Sequence, residues 1–219
     1  MSRGKRKNKV KGFYIDTNIA IDYITGRNPD TIGVLDLMKE KGWKIVSSSF
    51  LVMEASDVKK DYIYIINKTM EEKWDIRRVL RERDHKDLTE GDFFKLTEWI
   101  DDLKDKLNLL LYDFLVDSDT WELAQYISQN SNLFAPDAIH LSSAIIASQG
   151  GIEIDDDQIE IEAFVTNDGF IKEEAEKIKK QLEIDYPEVL TIGELKKKFL
   201  GVKNHGPNTN FKSTSKSTK

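Results

Sequence analysis

The sequence predicts an α/β fold, layered about a mainly parallel central sheet and carrying a helical insertion; three observations support this. Short apolar runs at 13–15 (FYI), 43–46 (WKIV), 109–116 (LLLYDFLV), 163–166 (AFVT) and, more weakly, 188–191 (EVLT) have the length of buried strands. Helical periodicity fills the intervals, at 18–25, 30–41, 50–84, 89–106, 118–129, 136–148, 170–183 and 191–200. Strands interleaved with helices build a layered fold with a mainly parallel sheet. The third observation is the length of 57–106, which exceeds what a strand-to-strand crossover requires and reads as an inserted helical arm.

Taken in order, Phe13, Tyr14 and Ile15 form the first strand, stopped by Asp16, Thr17 and Asn18, residues that end strands and cap helices. Asp30 and Thr31 after Pro29 supply the N-cap of the next long helix, and Gly42 ends it after Lys39, Glu40 and Lys41. Within the arm, Trp74 and Trp99 are read as core-packing anchors. Thr89 with Asp92 in LTEGDFF resembles a capping box with aspartate in place of glutamate. Pro136 suits the first turn of the helix that carries Asp137. The stretch 150–161, GGIEIDDDQIEI, reads as a loop ahead of the next strand, its Asp155–Asp157 run solvated. The domain is bounded at 12–200, between a basic N-terminal tail at 1–11 and a flexible basic C-terminal tail at 201–219.

Composition narrows the chemistry. The 219 residues include no cysteine, which excludes a disulfide, a zinc–thiolate site and a thiol nucleophile, and only three histidines, 85, 140 and 205. No apolar run approaches the roughly 20 residues that span a bilayer, and the basic N-terminus lacks the apolar core of a secretory signal, so a cytoplasmic protein and no membrane partner are expected. The net charge of −6 conceals a segregation. Residues 1–11 carry six basic side chains and residues 196–219 seven, with no acid in either, so 12–195 holds 20 basic against 39 acidic residues, a net of −19. The basic ends, Lys5, Arg6 and Lys7 among them, are candidates for holding a polyanion backbone near an acidic core.

Four carboxylates stand out by position. Asp16 follows the first strand, and Asp168 follows the AFVT strand in VTNDGF. Glu54 lies near the start of the helix after WKIV, and Asp137 opens PDAIHLSSAIIA, an otherwise apolar helix in which an idle charge would be costly. In a parallel sheet, strand carboxyl ends and the helix starts that follow them meet on one edge. Hard divalent cations such as Mg²⁺ and Mn²⁺ prefer oxygen ligands, and four gathered carboxylates repel unless a cation or protons neutralise them. A cation so held can activate water against a phosphodiester. Each acid also has a plain role open to it: Asp16 as a cap, Glu54 as a surface residue with Asp57 competing for its place, Asp137 at a helix dipole, Asp168 in a turn.

The motifs FYIDTNIAIDYI, SSSFLVMEA, PDAIHLSSAIIA and AFVTNDGF, in that order over about residues 12–195, resemble those of the PIN-domain nucleases, in particular the VapC-type toxin ribonucleases. The resemblance implies a three-layer α/β/α fold, catalytic and metal-holding roles for Asp16, Glu54, Asp137 and Asp168 with Mg²⁺ or Mn²⁺, and supporting polar roles for Asn18 and Thr166. It further implies RNA as substrate, and an antitoxin protein and a second copy of the chain as candidate partners. His140, one turn beyond Asp137, is read as a packed or hydrogen-bonded histidine. The 57–106 arm and the 150–161 stretch are longer than the compact toxins need, so a stand-alone RNA-processing nuclease fits the same acids. A non-catalytic RNA- or protein-binding scaffold is the reading of a different class. A phosphatase that opens strand–Asp–x–Asp is disfavoured by Asn18.

Overall fold

A computed structural model describes residues 8–113, 118–154, 157–182 and 186–201. β1 (Asn8–Ile15) is central to its sheet. On one side β1 pairs in parallel with β2 (Lys44–Ser47), and β2 with β3 (Leu109–Leu111). On the other it pairs along its length with β5 (Asp157–Val165), from Asn8 opposite Asp157 to Ile15 opposite Val165. Two short strands share the far edge of β5: β4 (Ile152–Ile154) antiparallel to its first residues, and β6 (Glu188–Leu190) parallel to its last. All strands but β4 therefore point one way, and register aligns their carboxyl ends.

Alternation along β1 sends Phe13 and Ile15 to one face and Tyr14 to the other. The first face is covered by α1 (Thr17–Thr25), α2 (Pro29–Glu40), α3 (Ser49–Ile66), α5 (Glu90–Leu107) and α9 (Ile192–Phe199). The second is covered by α6 (Ser118–Asn130), α7 (Ala135–Gly150) and α8 (Gly169–Leu182), which completes three layers. In β5 the alternation changes phase. Gly12 faces Ile161 but Phe13 faces Ala163, so Glu162 is an extra, bulged residue. Before it Ile159 and Ile161 point to the second face; after it Phe164 does, with Ala163 and Val165 on the first.

Several local expectations need correction. The 150–161 stretch is not a loop: β4 and the first half of β5 occupy most of it, with Asp155 and Asp156 outside the described residues. Its dense acids hid a strand whose outward Glu160 and Glu162 pair with Lys9 and with Lys11, the latter at 2.9 Å. Residues 8–11 thus belong to β1, and the sheet begins ahead of the boundary drawn at residue 12. Residues 1–7 and 202–219, with Lys5, Arg6 and Lys7, lie outside the described residues, as does 114–116 of the 109–116 candidate, whose strand spans Leu109–Leu111. The cap of α2 is Asn28, which accepts from the amides of Asp30 and Thr31, while Gly42 follows the helix at φ 71° as expected. The Thr89–Asp92 capping box forms.

The arm is helical. After α3 come a π-helical turn (Asn67–Glu71), α4 (Ile76–Arg81), a 3₁₀ turn (His85–Asp87) and α5. Trp99 packs against the core. Trp74 does not; its ring lies 4.7 Å from Lys68 Nζ and 3.7 Å from the Arg78 guanidinium, and buried Lys68 is held by Glu72 at 2.7 Å and Asp87 at 2.6 Å. No helix among the described residues is long and apolar enough to cross a membrane.

The β1–β5 contact leaves no room at residue 12. A Cβ on Gly12 would lie 2.5 Å from Ile159 Cγ2 and 3.0 Å from Ile161 Cδ1, whereas one on Gly33, inside α2, meets nothing within 4 Å. Gly12→Val is therefore expected to destabilise by about 1–3 kcal/mol through overpacking. Gly33→Ala should stabilise by about 0.5–1 kcal/mol through helix propensity. Urea denaturation midpoints at constant m-value check both.

Candidate functional site

Asp16 is the first residue beyond β1 and the N-cap of α1. Its amide donates to Val165 O at 3.0 Å, tying it to the end of β5. Its carboxylate accepts from the Thr17 amide (2.6 Å) on Oδ1, and from Asn18 Nδ2 (2.5 Å) and Thr166 Oγ1 (2.8 Å) on Oδ2. Asn18 and Thr166 are themselves joined at 3.1 Å. The carboxylate is thus a cap and also the centre of a polar cradle. With the residue only 5% exposed, burial lifts its pKa above the aspartate range, while the charge of His140 and the Thr166 hydrogen bond pull the other way.

Glu54 lies a turn and a half into α3. Its Oε2 accepts from Thr17 Oγ1 at 2.6 Å and lies 2.7 Å from His140 Nε2. Burial opposes its ionisation, but the hydrogen bond and charge of His140 outweigh it and hold the carboxyl below the usual glutamate range. His140 is fully enclosed, with Nδ1 3.2 Å from Tyr14 Oη and Nε2 also 3.1 Å from Thr17 Oγ1. Burial alone would lower its pKa; Tyr14, the Glu54 hydrogen bond and the nearby carboxylates push it to about 10.

Asp137 sits in the first turn of α7, behind Pro136. Burial, then the charges of Asp16, Asp168 and Glu54, raise its carboxyl to about 6. Asp168 follows β5 and starts α8, its Oδ1 accepting from the Phe170 amide at 2.8 Å and its own amide donating to Thr166 Oγ1 at 3.0 Å. All four acids flagged by the sequence therefore meet in one electrostatic neighbourhood at the carboxyl edge of the sheet.

Other residues of the neighbourhood were not among the site residues that the sequence singled out. Thr17 closes a triangle with Glu54 and His140. Asn167 joins the loop bearing Asp168 to α1 and α9: its amide donates to Asn18 Oδ1 (3.4 Å), its side chain to Asp22 Oδ2 (3.3 Å), and its Oδ1 accepts from the Ile192 amide (3.3 Å). Buried Asp22 also pairs with Arg27 at 2.5 Å.

Ligand-type atoms of Asp16, Glu54 and His140 lie within 4.8 Å of one another, a group able to hold a metal ion. Asp16, Glu54, Asp137 and Asp168 offer oxygen atoms alone, and burial followed by the charges of the other three raises Asp137. Both features fit a hard divalent cation such as Mg²⁺ or Mn²⁺.

No protein-family model matches the chain, and no curated protein matches it significantly. Among solved structures it is similar to a chain of VapBC2 from Rickettsia felis, crystallised with a DNA fragment from its promoter. That match covers 82% of this chain and 98% of the other at 16% identity, with a TM-score of 0.42.

A carboxyl whose folded pKa of about 6 exceeds its ordinary value of 3.8 destabilises the fold increasingly as pH rises between those values, and by a constant amount above them. Asp137→Asn should therefore stabilise the metal-free protein near pH 7–8. After solvent screening the gain is on the order of 1–2 kcal/mol, a Tm rise of about 2–8 °C. Thermal scans should show the gain shrinking toward zero below about pH 4.

Proposed function

We propose that the protein is a Mg²⁺- or Mn²⁺-dependent endoribonuclease. The observation that carries this reading is the convergence of Asp16, Glu54, Asp137 and Asp168 at one sheet edge, with Asp137 raised to about 6 by burial and by the other three. These four residues would hold the metal, which when bound supplies a Lewis acid that activates water and offsets charge on a phosphodiester. Asp16, fixed by Asn18 and Thr166, offers a rigid ligand. Asp137, its carboxyl raised to about 6, is suited to accept a proton from water. The four ordered motifs favour the substrate being RNA, since it is to RNA-cleaving nucleases that they are similar.

A toxin held by an antitoxin protein is the setting we favour. Ile66 and Met70 on one element and Phe93 and Phe94 on another are exposed, the two elements are joined by the Asn67–Asp92 hydrogen bond at 3.3 Å, and exposed apolar side chains of this kind suit a protein partner.

Purified protein is expected to cleave labelled single-stranded RNA with Mn²⁺ and to stop on addition of a chelator. Asp16→Asn and Asp168→Asn should each lose about 100-fold or more. Equal cleavage by wild type and both variants would sink the proposal. RNA binding without cleavage under any metal would favour the scaffold reading instead. Because a proton on Asp137 competes with the metal, the Mn²⁺ concentration for half-maximal cleavage should rise as pH falls below about 6.

A further inference from the structure

We propose that His140 is not a metal ligand but the positioning residue of Glu54; this rests on the metal-nuclease reading above. The argument is one of hydrogen-bond valence. Thr17 Oγ1 donates its one proton to Glu54 Oε2 at 2.6 Å, so toward His140 Nε2, 3.1 Å away, it can only accept. Glu54 Oε2, 2.7 Å from the same nitrogen, is a carboxylate oxygen and also only accepts. Both neighbours of Nε2 are acceptors, so Nε2 carries a proton and has no lone pair to give a cation.

The ring cannot turn to escape this. Tyr14 Oη engages Nδ1 at 3.2 Å, the Tyr14 and Phe50 rings meet the imidazole edge-on at 6.0 and 5.5 Å, and the residue is 1% exposed. Ligation through Nε2 would break two hydrogen bonds and strand buried groups. What the arrangement does instead is hold Glu54. Among the described residues both of its protein hydrogen bonds fall on Oε2, which stops a flexible side chain in one rotamer and leaves Oε1 for the cation. Tyr14, carried by the central strand, thereby reaches the site through His140.

Uniformly ¹⁵N-labelled protein titrated with Mg²⁺ tests this directly. Backbone amides of Asp16 and Thr17 are expected to shift while His140 Nε2 keeps its proton in the long-range ¹H–¹⁵N spectrum. Loss of that proton as the amides shift overturns the inference and leaves the metal reading intact; no shift at Asp16 overturns both. In cleavage assays His140→Gln, which retains an N–H donor, should keep most of kcat. His140→Leu should lose about 10–100-fold in kcat with KM for RNA unchanged. Tyr14→Phe keeps the ring packing and should lose a few-fold. Equal kcat in the Gln and Leu variants, both folded by circular dichroism, would overturn the proposal.

Discussion

Eight residues of β1 lie in parallel register with β5, and that pairing decides where the acids fall. It sets Ile15 opposite Val165, so the chain leaves both strands at the same height and Asp16 meets Thr166 across 150 residues of sequence. The bulge at Glu162 is part of this geometry, because without the phase change Val165 and Phe164 would present the wrong faces to the two helical layers. Gly12 permits the close approach there. β6 then adds to β5, so that Thr166 and Asn167 are pinned from both sides, by β1 and α1 on one and by Leu190 and Ile192 on the other.

Gathering carboxylates at that edge is electrostatically unfavourable, and the fold handles the four differently. Asp16 receives three hydrogen bonds and Glu54 two, which compensates much of their burial. Asp168 is turned partly into a helix cap. Asp137 is raised to about 6, first by its burial and then by the charges of the other three. An uncompensated acid beside three others is poor design for stability alone and good design for capturing a cation, a compromise common at functional sites. The only positive group in direct contact with these acids among the described residues is His140, which serves Glu54 from inside the core.

The acids were legible because their positions follow from element boundaries, and boundaries leave local marks: an apolar run stopping at Asp16, a proline ahead of Asp137, a Thr-Asn-Asp-Gly turn around Asp168. The second half of the neighbourhood was not. β4 and the start of β5 alternate isoleucine with acids, and charge density made them look like a solvated loop. Lys9 and Lys11 read as a tail, but they form ion pairs with Glu160 and Glu162 of the neighbouring strand. Trp74 read as a core residue because aromatics usually are; two cations from the arm claimed its ring instead.

The sequence by itself determined the α/β layering and set four acids at element boundaries, because periodicity and caps are short-range properties of neighbouring residues. Only the tertiary structure decided that Thr17, Glu54, His140 and Tyr14 form one connected set. Those residues come from β1, α1, α3 and α7, and what joins them is strand register and helix packing across up to 126 positions. A hydrogen bond's direction depends on every partner present at once, so the hydrogen bonding of His140 follows from the assembled neighbourhood and not from its place in the chain.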